Sequence, residues 1–183
     1  TIDGGALLVC GTFTVHGNVI LKNGATLSLV NGAMYIYANL TIPKGCVVSN
    51  IFGATNIFGD VIVNGLLLHA SGTLTSYFPV TVNGRFVNHS EFNTLKLTLN
   101  SGSVFDHYGK MEYYSDPQSR YELIVNQGAK LNLYNKASLE MMYVTLNGTV
   151  TAAGNNNTCI KVTHELNAAS SGSFTTTSPE TAT

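Results

Sequence analysis

Five Asn-Gly pairs, at Asn23, Asn31, Asn64, Asn83 and Asn147, punctuate a chain whose apolar and polar residues alternate in runs of three to six. Alternation with period two is the mark of a β-strand with one buried side. Gly and Asn tolerate positive φ, so each pair is placed to turn the chain sharply between strands. Residues 12–15, 18–21, 25–30 and 33–37 follow the pattern, and it resumes at 60–63, 66–68, 80–82, 95–99, 121–125, 130–134 and 142–146. No window carries a helical stripe, so the chain is expected to be all-β, with the Asn-Gly pairs at turns and at least some of Gly24, Gly32, Gly65, Gly84 and Gly148 at positive φ.

Two architectures use such turns. Two-residue hairpins would build an antiparallel β-sandwich, whereas tight corners repeated in every coil would build a β-solenoid. Strand, Asn-Gly, strand recurs in residues 59–75 (GDVIVNGLLLHASGTLT), 80–90 (VTVNGRFVNHS) and 126–154 (NQGAKLNLYNKASLEMMYVTLNGTVTAAG). Asn64 and Asn83 lie about one coil of ~20 residues apart, within the range of solenoid repeats. The repetition favours the solenoid, over residues 1–166. Residues 105–120 (FDHYGKMEYYSDPQSR) interrupt it and read as an excursion, and the Ser/Thr-rich residues 167–183 read as a tail or linker.

Residues 11–33 (GTFTVHGNVILKNGATLSLVNGA) resemble the repeats of β-solenoid surface and cell-wall proteins, including hyphally regulated fungal cell-wall adhesins. The Ser/Thr-rich end is similar to the start of a wall-anchored stalk, and a more distant likeness is to polymer-forming solenoids of the bactofilin type. The resemblance is one of architecture and singles out no family. It implies an extracellular or cell-surface protein, adhesin-like or polymer-forming.

Charged residues make up 10% of the chain, against an ordinary share of about 25%. Its surface must be covered by neutral Asn, Thr, Ser and Gly, as is common in secreted proteins. A net charge of −1 with only two arginines, Arg85 and Arg120, leaves no cationic footprint for nucleic acid. No apolar run is long enough to span a bilayer as a helix. The start at Thr1 carries neither a basic region nor a hydrophobic one, which reads as a mature or excised chain.

Three cysteines fit no metal-binding spacing. Buried small hydrophobes are one reading; a Cys10–Cys46 disulfide, with Cys159 left for pairing between molecules, is another. Asn39, Asn88, Asn147 and Asn156 head Asn-x-Ser/Thr sequons, of which Asn88 and Asn156 sit in loop-like surroundings. Carbohydrate-cleaving solenoids need clustered carboxylates, and the acidic residues here form no pair on neighbouring repeats. The densest titratable group, Asp106, His107, Lys110, Glu112, Asp116 and Arg120, falls in the excursion and reads as a solvated loop. No metal or other cofactor is implied, and the three Thr-x-Thr sites are too unevenly spaced for an ice-binding ladder.

The chain is therefore expected to be a non-enzymatic structural protein that joins copies of itself into a sheath, surface layer or filament. Ala6, Leu7, Leu8 and Val9 form an uncharged first strand that another copy would extend. The alternative is an adhesin head that binds glycan or protein through Tyr108, Tyr113, Tyr114 and Tyr121, whose rings offer stacking faces. A polysaccharide lyase or hydrolase ranks third.

Overall fold

A computed structural model describes residues 1–112, 120–134, 136–153 and 158–177. All of its regular structure is strand, and every strand pairing is parallel. The chain winds through about eight turns of a β-solenoid. The antiparallel sandwich is thereby excluded.

Each coil lays down three short strands, one on each of three faces. Val61–Val63, Leu66–His69 and Thr73–Ser76 make one coil, and the next places Val80–Val82, Arg85–Asn88 and Glu91–Thr94 beside them in register. Strands of three or four residues place one or two side chains inward, which is why a short alternating run suffices. Val61, Val80, Leu97, Leu123 and Val144 form an inward column on the first face. Leu27, Val48, Leu67, Phe86, Phe105, Leu131 and Val150 form one on the second. Met34, Thr55, Leu74, Phe92, Met111 and Leu139 form one on the third. Together they make one continuous core.

Coil length varies without breaking the columns. Asn83 and Asn100 are 17 residues apart and Asn100 and Asn126 are 26 apart, yet each occupies the same corner. Extra residues are absorbed between strands, and the register of the strands is preserved.

Two sequence expectations are corrected by this register. The excursion expected over 105–120 is, as far as Glu112, regular solenoid: Val104–His107 and Lys110–Glu112 are rungs of the second and third faces. Asp106 alternates with the core residues Phe105 and His107 and, although buried, is paired with Arg85, so its charge does not interrupt the strand. The tail expected from residue 167 also belongs to the stack up to Thr177, since Cys159–Ala168 pairs with Ser138–Leu146 and Ser173–Thr177 with Thr149–Ala153. Ladder formation uses the main chain, so a run poor in apolar residues joins when its neighbour supplies the template.

The Asn-Gly corners are of two kinds. Gly24 and Gly32 have φ of 73° and 118°, as expected, but Gly65, Gly84 and Gly148 are not at positive φ. At those three corners both amides of the pair donate to one carbonyl a coil earlier, as Asn83 and Gly84 do to Val63 O, each at 2.8 Å. That geometry presses the glycine onto the preceding corner, and a Cβ on Gly84 would run into the carbonyl oxygens of Asn64 and Gly65. Absence of a side chain, not left-handed backbone, is what the position demands. Gly84→Ala should therefore cost about 1–3 kcal/mol in urea unfolding. Gly17→Ala, where nothing stands within 4 Å of the added carbon, should stay within about 0.5 kcal/mol of the parent.

Candidate functional site

In-register stacking sets equivalent residues of successive coils about 4.8 Å apart, so a corner occupied by one residue type becomes a ladder. The corner between the first and second faces carries an asparagine ladder. Asn83 Nδ2 donates to Asn64 Oδ1 at 2.8 Å, Asn100 Nδ2 to Asn83 Oδ1 at 2.7 Å and Asn126 Nδ2 to Asn100 Oδ1 at 2.9 Å. Each amide is both donor and acceptor, so the chain of bonds propagates from coil to coil. At the start of the stack Asn23 Nδ2 meets Asp3 Oδ1 at 2.6 Å in the same way. Beside this corner the glycines leave a shallow groove of about 410 Å³, bordered by Lys44, Val47, Asn64, Leu66, Arg85 and Val104.

Aromatic ladders run up the outside of the other two corners. His16, Tyr37, Phe58 and Tyr77 stack with centroids 5.0, 4.8 and 4.6 Å apart and planes within 10°. His89, Tyr108 and Tyr134 stack at 4.4 Å per step. A ring within such a ladder has both faces covered by its neighbours and presents only its edge. Tyr108 is in that position, so it offers no face to a sugar. Tyr121, also expected in a ligand-contact loop, is 2% exposed and packs in the core. Tyr113 and Tyr114 lie outside the described residues, as does Asp116.

The remaining titratable residues of the expected group are drawn into ion pairs or into the interior. Asp106 accepts Nε and Nη2 of Arg85 at 3.0 and 2.7 Å on Oδ2, and Asn132 Nδ2 at 2.8 Å on Oδ1. Burial, and then the Asp106 charge, raises the Tyr134 hydroxyl above its ordinary pKa. Lys110 pairs with Glu112 at 2.7 Å, Lys96 with Glu122 at 2.7 Å, and Arg120 lies 4.2 Å over the Tyr143 ring. His107 is wholly buried, and burial lowers its pKa to about 4. Among the described residues no three His, Cys, Asp or Glu side chains gather as a metal-binding set. Nor, among them, is any helix long and apolar enough to cross a membrane.

The expected disulfide does not form: Cys10, Cys46 and Cys159 are all free. Cys46 precedes Val47, which stacks through Thr26 onto Ala6, so it falls in the column of Gly5. Cys10 lies five residues farther along the strand, roughly 15 Å away at the rise of a β-strand, where a disulfide needs Cα atoms within about 7 Å. Cys46 also faces the core, while Cys10 and Cys159 are exposed. Of the sequons, Asn39 is exposed and Asn147 partly so, but Asn88 is wholly buried and closed to a glycan in the folded chain. Asn156 lies outside the described residues.

Among the described residues Ala6–Val15 pairs only with Thr26–Ile36, which leaves one edge of this ten-residue strand open. Leu8 is 63% and Leu7 36% exposed, whereas Val9, expected at the same edge, turns inward at 7%. The aromatic and asparagine ladders were not anticipated from sequence. Their signal was a residue type recurring at a variable spacing, visible only once the register is known. Compared with protein-family models, with curated proteins and with solved structures, the chain matches none.

Asp106 is the described carboxylate most committed to structure, because its side chain is 5% exposed and depends on Arg85. Asp106→Ala should lower stability by about 2–3 kcal/mol, since it removes a charge-assisted network and leaves Asn132 unpaired. Breaking the exposed, solvent-screened Lys110–Glu112 pair should leave it nearly unchanged. Chemical denaturation of the two variants checks the contrast.

Proposed function

We propose that this chain is a non-enzymatic structural unit of an extracellular assembly, a sheath, surface layer or filament, whose copies join by continuing the solenoid ladder. The observation that carries the reading is the open edge of Ala6–Val15. It is a ten-residue strand with no charged side chain, paired on one side only among the described residues, with Leu7 and Leu8 exposed. Protected edges usually carry Lys, Pro or a bulge that keeps other strands away. A bulge does interrupt the register between Val9 and Cys10, but it leaves Ala6–Val9 regular. Low overall charge removes much of the repulsion that holds soluble molecules apart. Asp106, Glu112, Glu122 and Glu140, each held by a cation, favour the same reading.

A second reading, a cell-surface adhesin that binds glycan, is favoured by the groove at the asparagine corner. Its amide and cationic wall beside Val47, Leu66 and Val104 combines hydrogen-bonding groups with an apolar strip, as sugar-binding surfaces do.

Leu7 is the position that discriminates. In a free molecule a lysine there reaches water along its own stem, whereas in an assembly its ammonium would be enclosed at the end of the Leu27–Val48–Leu67 column. Burying an unpaired charge costs several kcal/mol, so Leu7→Lys should raise the concentration needed for assembly by about a hundredfold. Its circular dichroism should stay that of the parent. Light scattering with electron microscopy reads the outcome. A wild-type chain that stays monomeric at high concentration, and retains a neutral or acidic glycan on a column, contradicts the structural reading and supports the adhesin.

A further inference from the structure

At the inner end of the second face, where the chain bends toward the third, the register stacks Leu29, Asn50, His69, Asn88, His107 and Leu133 in one column. The four polar members come from four successive coils, and none is more than 2% exposed. Leucines close the column at both ends. A polar group so deeply buried must be hydrogen-bonded or its burial is strongly unfavourable.

Each of the four reaches a main-chain carbonyl of its own corner or of the next coil. Asn50 Nδ2 donates to Gly53 O at 3.1 Å and Asn88 Nδ2 to Ser90 O at 2.9 Å. His69 Nε2 lies 2.9 Å from Glu91 O and His107 Nε2 lies 3.0 Å from Ser138 O. A carbonyl oxygen only accepts, so both imidazoles carry their hydrogen on Nε2. The Nδ1 of His107 is then a lone pair, and it lies 3.0 Å from Asn88 Nδ2, which donates to it. The Asn88 amide is not free to reverse, because Ser90 fixes both its ends: Nδ2 donates to Ser90 O, and Ser90 N donates to Oδ1 at 3.4 Å. A proton arriving on His107 Nδ1 would therefore face another N–H, with no acceptor to take it.

Among the described residues no charge inside the solenoid compensates such a proton. The strands packed against His107 carry Arg85, Lys130, Lys110, Glu112 and Glu140, and its own strand carries Asp106. All six belong to outward positions of the alternation, and Asp106 is already held by Arg85. His69 is buried likewise, with Glu91 and His89 as its nearest titratable neighbours.

We propose that this Asn/His column is an acid-sensitive seam, which holds the corner between the second and third faces closed while the imidazoles are neutral and opens it on acidification. The direction follows from proton linkage. The unfolded or opened chain binds a proton on histidine near pH 6.5, whereas the closed column holds His107 neutral down to about pH 4. Between those values the open form binds more protons, so closure is at full strength above pH 6.5 and weakens as the pH falls toward 4. His107 alone then favours opening by about a hundredfold at pH 4 relative to pH 7, and His69 adds in the same direction.

Hydrogen exchange on the wild-type chain tests this without any substitution. The amides of His89 and Tyr108 bond to His69 O and Asn88 O within the seam, and those of Asn83 and Asn100 bond to Val63 O and Val82 O at the asparagine corner. From pH 7 to pH 4.5 the protection factors of His89 and Tyr108 should drop by some tens of fold, and those of Asn83 and Asn100 by much less. In His107→Asn, which places at this rung the neutral residue already used at Asn50 and Asn88, most of that drop should vanish. Protection at Tyr108 that is unchanged at pH 4.5, or an equal drop at both corners, would overturn the proposal. So would a His107→Asn chain that keeps the full wild-type acid response.

Discussion

Everything in this molecule follows from main-chain hydrogen bonds made in register between one coil and the next. Each strand has only three or four residues over most of the stack, too few to stand as a sheet by itself. A strand is stable because identical pairings lie before and behind it, and because its one or two inward side chains continue a column already packed. The energetics are those of a repeat array, in which each coil depends on its neighbours far more than on distant parts of the chain. Asn83 and Gly84 show how tightly the coupling is drawn: both amides share Val63 O, and the glycine lies against the corner beneath it.

Register makes like residues meet, which is a liability for charges and an opportunity for groups that bond or stack with their own kind. Asparagine serves as both donor and acceptor, so four of them close into a chain at one corner. Flat rings stack at the spacing the backbone imposes. Ionic side chains at neighbouring rungs are of opposite sign, as Lys96 with Glu122 and Glu140 with Lys161 are. The scarcity of charge is in this light a consequence of architecture as much as of environment, since a run of one sign in a single column would repel at every step.

The fold was legible in the sequence because alternation and turn residues are local signals. The sites were not, because they are made by register, and a spacing that changes from 17 residues between Asn83 and Asn100 to 26 between Asn100 and Asn126 leaves no fixed period to read. Asp106, Tyr108 and Tyr121 looked like parts of one polar loop. The stack distributes them to an outer face, an outer corner and the core. Asn88 looked like an accessible sequon because His89 and Ser90 follow it, yet alternation from Phe86 directs its side chain inward. Cys10 and Cys46 looked stackable, but the corner offset puts them five positions apart along the coil. Gly65 and Gly24 carry the same dipeptide signature, and only the folded structure separates the one held by crowding from the one held by φ.

If copies join by continuing the ladder, the axis of the assembly is the axis of the solenoid. Diffraction from oriented assembled material measures this directly. Coil-on-coil continuation predicts a strong reflection near 4.8 Å parallel to the long axis, the spacing of neighbouring strands. A 4.8 Å reflection perpendicular to that axis, or material that yields no ordered assembly to orient, would contradict it.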